Sequence, residues 1–75
     1  MAVTPEESAR HVVRILRERV DVGDWGMLQW LDSPFNIDPY EPEDVQPGLA
    51  EALNRGWIEV TDDRVRVLPK GSSEV

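Results

Sequence analysis

A small α+β domain, three helices followed by a two-stranded β-hairpin, is the fold this sequence predicts, on three observations. Thr4-Pro5-Glu6-Glu7 places a hydroxyl N-cap, a proline at N1 and a glutamate at N3 at one helix start. Apolar residues recur at helical spacing in the segments before Gly56, and the period changes to alternation at Trp57. From Ile58 to Val67 apolar and polar residues alternate about a Thr61-Asp62-Asp63 turn. A chain of 75 residues makes one domain, here 1–70 with a flexible tail 71–75, and buries only about 60% of its unfolded surface.

Helix 1 is expected over 5–20, with Ala9, Val12, Val13, Leu16 and Val20 on one apolar face and Gly23 as its stop. Arg10, Arg14 and Arg17 form a stripe on the opposite side, with Glu7 and Glu18 placed for intrahelical pairs, which reads as a solvated face. A second, shorter helix is expected over 24–31, capped by Asp24, with Trp25, Leu28 and Leu31 inward and Met27 and Trp30 to one side. The segment "PFNIDPYEPEDVQP" is too rich in proline for a regular element, and Phe35, Ile37 and Tyr40 are expected to pin it to the core.

Helix 3 is expected to start with Asp44 as N-cap, so that Pro47 falls in the first turn where its missing N–H is harmless. Val45, Leu49, Ala52 and Leu53 then point inward, and Gly56 occupies the left-handed C′ position. In the hairpin, Ile58 and Val60 pair with Val65 and Val67 on one face, leaving Glu59, Arg64 and Arg66 on the other. Trp25 and Trp57 are assigned to packing.

The pattern from Asp44 to Gly71, a helix, "NRGWIEV", a turn carrying "DD" and "RVRVLPKG", resembles the recognition helix and wing of bacterial winged helix-turn-helix domains. That resemblance implies a winged-helix-like domain in which the hairpin is the wing. The same scaffold carries DNA readers, RNA binders and protein-interaction modules, so it leaves function open. About a dozen proline- and acid-rich residues stand between helices 2 and 3, where the family has a tight turn.

Composition excludes several classes. There is no cysteine, hence no disulfide framework, thiolate metal site or cysteine nucleophile. The stretch 32–43 has the length of a calcium loop and puts Asn36 and Asp38 at its fifth and seventh places. Pro34 stands at the third and Ile37 at the glycine position, so no metal or other cofactor is expected. His11 is the only histidine and reads as a boundary residue. The serines lack a glycine elbow or partner base, and no enzymatic activity is expected. No basic-then-apolar leader opens the chain and no apolar run approaches about 20 residues, so a cytoplasmic protein without membrane contact is expected.

With a formal net charge of −7 the chain repels phosphate and favours basic protein partners. Two functional readings follow. In the first, a non-enzymatic protein-interaction module presents Glu41, Glu43, Asp44 and Glu51, with Trp30 and Tyr40 as aromatic anchors, to a basic protein partner, for example as an inhibitor or mimic of a partner whose own ligand is nucleic acid. In the second, a dimeric DNA-binding regulator places Gln46 and Asn54 against bases while Arg55, Arg64, Arg66 and Lys70 hold phosphates. The homodimer in that reading supplies the affinity that one acidic domain of this size lacks.

Overall fold

In the computed structural model, which describes residues 3–31, 34–37 and 40–75, the chain opens with helix α1 (Pro5–Arg17). Its start is the predicted capping box. Thr4 Oγ1 accepts from the Glu7 N–H at 3.1 Å, and Glu7 Oε1 accepts from the Thr4 N–H at 3.0 Å. Those bonds, the backbone one foremost, hold the Glu7 carboxyl below its ordinary range. The helix stops short of Val20. The chain must fold back so that Gly23, at φ +91°, can donate its N–H to the Val67 carbonyl at 2.9 Å.

The expected second helix over 24–31 does not form. Gly26–Met27 is instead a short strand, β1, followed by a single 3-10 turn at Leu28–Leu31. Eight residues flanked and interrupted by Gly23 and Gly26 make a poor isolated helix, whereas pairing with the hairpin gives their backbone groups partners. The Leu28 N–H also donates to the Asp63 carbonyl at 2.8 Å. A Cβ at 26 would lie 2.9 Å from the Trp30 ring, so any other residue there would make that ring shift.

Helix α2 (Val45–Asn54) corresponds to the predicted helix 3. Asp44 takes its N-cap position as expected, but its side chain makes no capping bond to the helix. A 3-10 turn, Pro42–Asp44, leads directly into the helix, and the Asp44 carboxylate accepts from the Glu41 N–H at 2.9 Å. At the far end Gly56, φ +74°, donates to Leu53 O at 3.1 Å and Trp57 N–H donates to Ala52 O at 2.9 Å, a Schellman closure.

The hairpin follows as β2 (Ile58–Thr61) and β3 (Arg64–Val67), closed by Asp62 and Asp63 with Asp62 at φ +50°. Ile58 faces Val67 and Val60 faces Val65, the predicted register. β1 adds to the free side of β3, Gly26 opposite Val65, so the antiparallel sheet has three strands in the order β1-β3-β2. A third helix, α3 (Pro69–Glu74), comes after the hairpin rather than before it. Residues 71–75, expected as a tail, therefore belong largely to this helix. Gly71 is buried so tightly that a Cβ on it would stand 2.4 Å from the Trp57 carbonyl oxygen.

The core lies between α1, α2 and one face of the sheet. It contains Ala9, Val12, Val13 and Leu16 from α1, Leu49 and Ala52 from α2, Ile58, Val65 and Val67 from the sheet, and Leu31, Phe35 and Trp57. Three residues expected inward lie outward. Leu53 is 45% exposed, Ile37 59% and Trp25 38%. The α1–α2 crossing is close because Gly48 faces Ser8, the one buried polar side chain among the described residues.

Candidate partner-binding surface

The turn before α2 and the outward side of α2 hold most of the residues predicted to meet a partner, and α1, β2 and α3 determine which of them are free. Glu43 is exposed and makes no ion pair among the described residues, and Asp44 is half-buried with its carboxylate on the Glu41 N–H. Glu41 is exposed beside them. These three put carboxylates where the chain turns into α2, the end at which the helix dipole favours negative charge.

Glu51 does not join that group. Its carboxylate binds the Arg55 Nε, a bond that raises the guanidinium pKa further above its ordinary value. Arg55 Nη2 in turn reaches Glu6 Oε1 at 3.1 Å, and its guanidinium lies 5.2 Å from the centre of the Trp57 ring. On the same ring Arg10 lies at 5.3 Å, bonded to Glu6 Oε2 at 3.3 Å and to the Glu74 carbonyl at 2.9 Å. Trp57 Nε1–H donates to Glu74 Oε2 at 2.7 Å. Thus Arg10, expected on a solvated stripe, and Arg55, expected on phosphate, both cover the indole and tie α1, α2 and α3 together.

The aromatic anchors are likewise used within the fold. Tyr40 is half-buried and stacks on His11, ring centres 3.9 Å apart at 8°, with Phe35 tilted against both. Trp30 lies over Gly26. On the outer face of the sheet, Arg66 pairs with Glu59 directly across the strands and lies 4.6 Å from the Trp25 ring, its buried Nε without a hydrogen-bond partner. Gln46, Asn54, Arg64 and Lys70 are exposed, with no ion pair on either cation among the described residues. Asp32 and Asp38 of the acidic loop lie outside the described residues. Among those described, no group of three or more His, Asp or Glu side chains is placed to hold a metal ion. No helix among the described residues is long and apolar enough to cross a membrane.

Sequence reasoning missed the Trp57 cage, although half its signal was present. Glu6–Arg10 and Glu51–Arg55 are both i,i+4 pairs. That both arginines also meet one tryptophan is a tertiary fact with no local signature.

His11 carries a pH dependence. Its Nε2 lies 3.2 Å from the Phe35 carbonyl, and burial, only partly opposed by that carbonyl, lowers its pKa below the ordinary 6.5. A histidine whose folded pKa is depressed stabilises the fold fully above its unfolded value and loses that contribution as pH falls through the folded one. Urea midpoints should therefore drop between about pH 7.5 and pH 5.5, above the carboxylate range. The slope should flatten in His11→Phe, which keeps the stack on Tyr40; equal slopes in the two proteins would remove His11 as the cause.

The fold defines a small α+β domain with a three-stranded antiparallel sheet. Comparison with protein-family models, with curated proteins and with solved structures finds no match to this chain.

Proposed function

We propose that this chain is a non-enzymatic protein-interaction module on a winged-helix-like scaffold, whose acidic turn at the start of α2 engages a basic partner. The scaffold reading is supported by the order of elements, a capped helix, a short strand, a helix and a hairpin on whose second strand the first one pairs. The observation that carries the functional reading is the position of Arg55. It closes on Glu6, Glu51 and Trp57, and Arg66 closes on Glu59 and Trp25.

Nucleic-acid binding needs the opposite arrangement. DNA readers neutralise on the order of 6–10 phosphates. Here the exposed cations of the hairpin and α3 that make no ion pair among the described residues are Arg64 and Lys70, and Asp62 and Asp63 close the hairpin that carries Arg64. Gln46 and Asn54 offer base-reading chemistry on an otherwise uncharged helix face, without the cations to hold it on a phosphate backbone.

Two measurements test this reading. Labelled duplex DNA titrated with the protein at about 50 and then about 200 mM salt should give no anisotropy change. Binding with a steep salt slope would replace the module with a DNA-binding regulator. Capture from cell extract should retain basic proteins on the wild type and lose them on Glu43→Lys/Asp44→Asn, in which asparagine keeps the acceptor for the Glu41 N–H. An identical captured set on both baits would discard the acidic turn as the working surface.

A further inference from the structure

We propose that the outward side of α2 is the contact surface for a second copy of this chain, the two helices packing antiparallel across a two-fold axis. This rests on reading α2 as an interaction surface, and it names what occupies that surface when no other partner is bound.

The first observation is the absence of charge. In a chain with 31% charged residues, α2, Val-Gln-Pro-Gly-Leu-Ala-Glu-Ala-Leu-Asn, has a single charged residue, and that one, Glu51, is held by Arg55. Gln46, Pro47, Ala50, Leu53 and Asn54 are all exposed, Leu53 at 45%. A solvated helix face ordinarily carries lysine and glutamate, whereas depletion of charge with exposed apolar side chains marks the centre of an interface. Ala50, near the middle of the helix, is small enough to let two backbones approach.

The second observation is complementary charge at the two ends of that face. Glu43 stands exposed and unpaired at the N-terminal end. At the C-terminal end stands Lys70, exposed and unpaired, with its stem 3.8 Å from the position a Cβ on Gly56 would take. The ten residues of α2 rise about 15 Å. A two-fold contact is isologous, so whatever meets in one direction meets again in the other. Antiparallel packing about Ala50 sets Glu43 of each copy against Lys70 of the other, twice, and opposes the two helix dipoles favourably. Parallel packing would bring Glu43 against Glu43.

Sedimentation of the full chain from micromolar to millimolar concentration tests this. A monomer–dimer equilibrium is expected, and Ala50→Glu should be monomeric throughout while keeping the far-ultraviolet circular dichroism of the wild type. Glu43→Lys or Lys70→Glu alone should each weaken association by about tenfold, the loss of two ordinary surface ion pairs. The double exchange Glu43→Lys/Lys70→Glu should restore it. A wild type that is monomeric at every concentration would overturn the proposal, as would a dimer indifferent to Ala50→Glu or a double exchange no better than the single ones. Ala50→Glu keeps the two readings apart, since it removes the dimer while leaving Glu43 and Asp44 in place to capture a basic protein.

Discussion

Trp57→Ala is expected to cost about 3–5 kcal/mol, the range for removing a large aromatic from a packed core. A domain of this length has about 4–11 kcal/mol in all, so the variant should lose a large share of its stability. The indole is 1% exposed, and more depends on it than its own burial. It lies against the guanidinium groups of Arg10 and Arg55, donates to Glu74 and underlies Gly71, so its loss frees charges from α1 and α2 and the packing surface of α3 together. Trp57→Phe keeps most of the apolar volume but not the Nε1–H, and should cost about 1–2 kcal/mol. Urea unfolding followed by far-ultraviolet circular dichroism separates the two. A loss below about 1 kcal/mol in the alanine variant would show that the cage is peripheral.

The features that sequence revealed are those with local causes. The capping box at Thr4, the C′ glycine at 56 and the hairpin register each depend on residues a few positions apart, and each stands where expected. The failures depend on distant partners. Residues 24–31 read as a helix by apolar spacing, but β1 exists because Val65 and Arg64 of β3 supply its hydrogen bonds. α3, six residues long, is too short to persist alone and depends on Trp57 and Arg10.

The candidate surface was legible in part for the same reason. Glu43 and the outward Gln46 and Asn54 were found from position alone, since nothing in the fold draws on them. Glu51 and Arg55 were assigned to a partner or to phosphate, yet Glu51 meets Arg55, and Arg55 also meets Glu6 and Trp57. Tyr40, expected both to pin its segment to the core and to anchor a partner, stacks on His11, and Arg66 is taken up by Glu59 across the strands and by Trp25. Leu53 was assigned inward by helical spacing and lies at the edge of the buried arc of α2, so a small rotation of the helix exposes it.

That rotation is fixed by Gly48, and Gly48→Ala is the second large effect expected. Alanine is normally the better helix former by about 1 kcal/mol, so an exposed glycine at this place would be stabilised by the change. Here the added Cβ would lie 2.8 Å from the Ser8 Cβ and 2.9 Å from the Ser8 carbonyl carbon. Main-chain atoms of a capped helix cannot step aside as a flexible side chain can, so α1 and α2 must separate across their whole crossing. Overpacking of that kind costs about 1–3 kcal/mol, enough to reverse the sign of the propensity gain. Ser8→Gly/Gly48→Ala removes one of the two contacts and should recover only part of the loss, because the Ser8 carbonyl carbon is still in the way. Gly48→Ala with unchanged or raised stability in urea would mean that the two helices can part without loss, and that their spacing does not set how α2 presents its outward side.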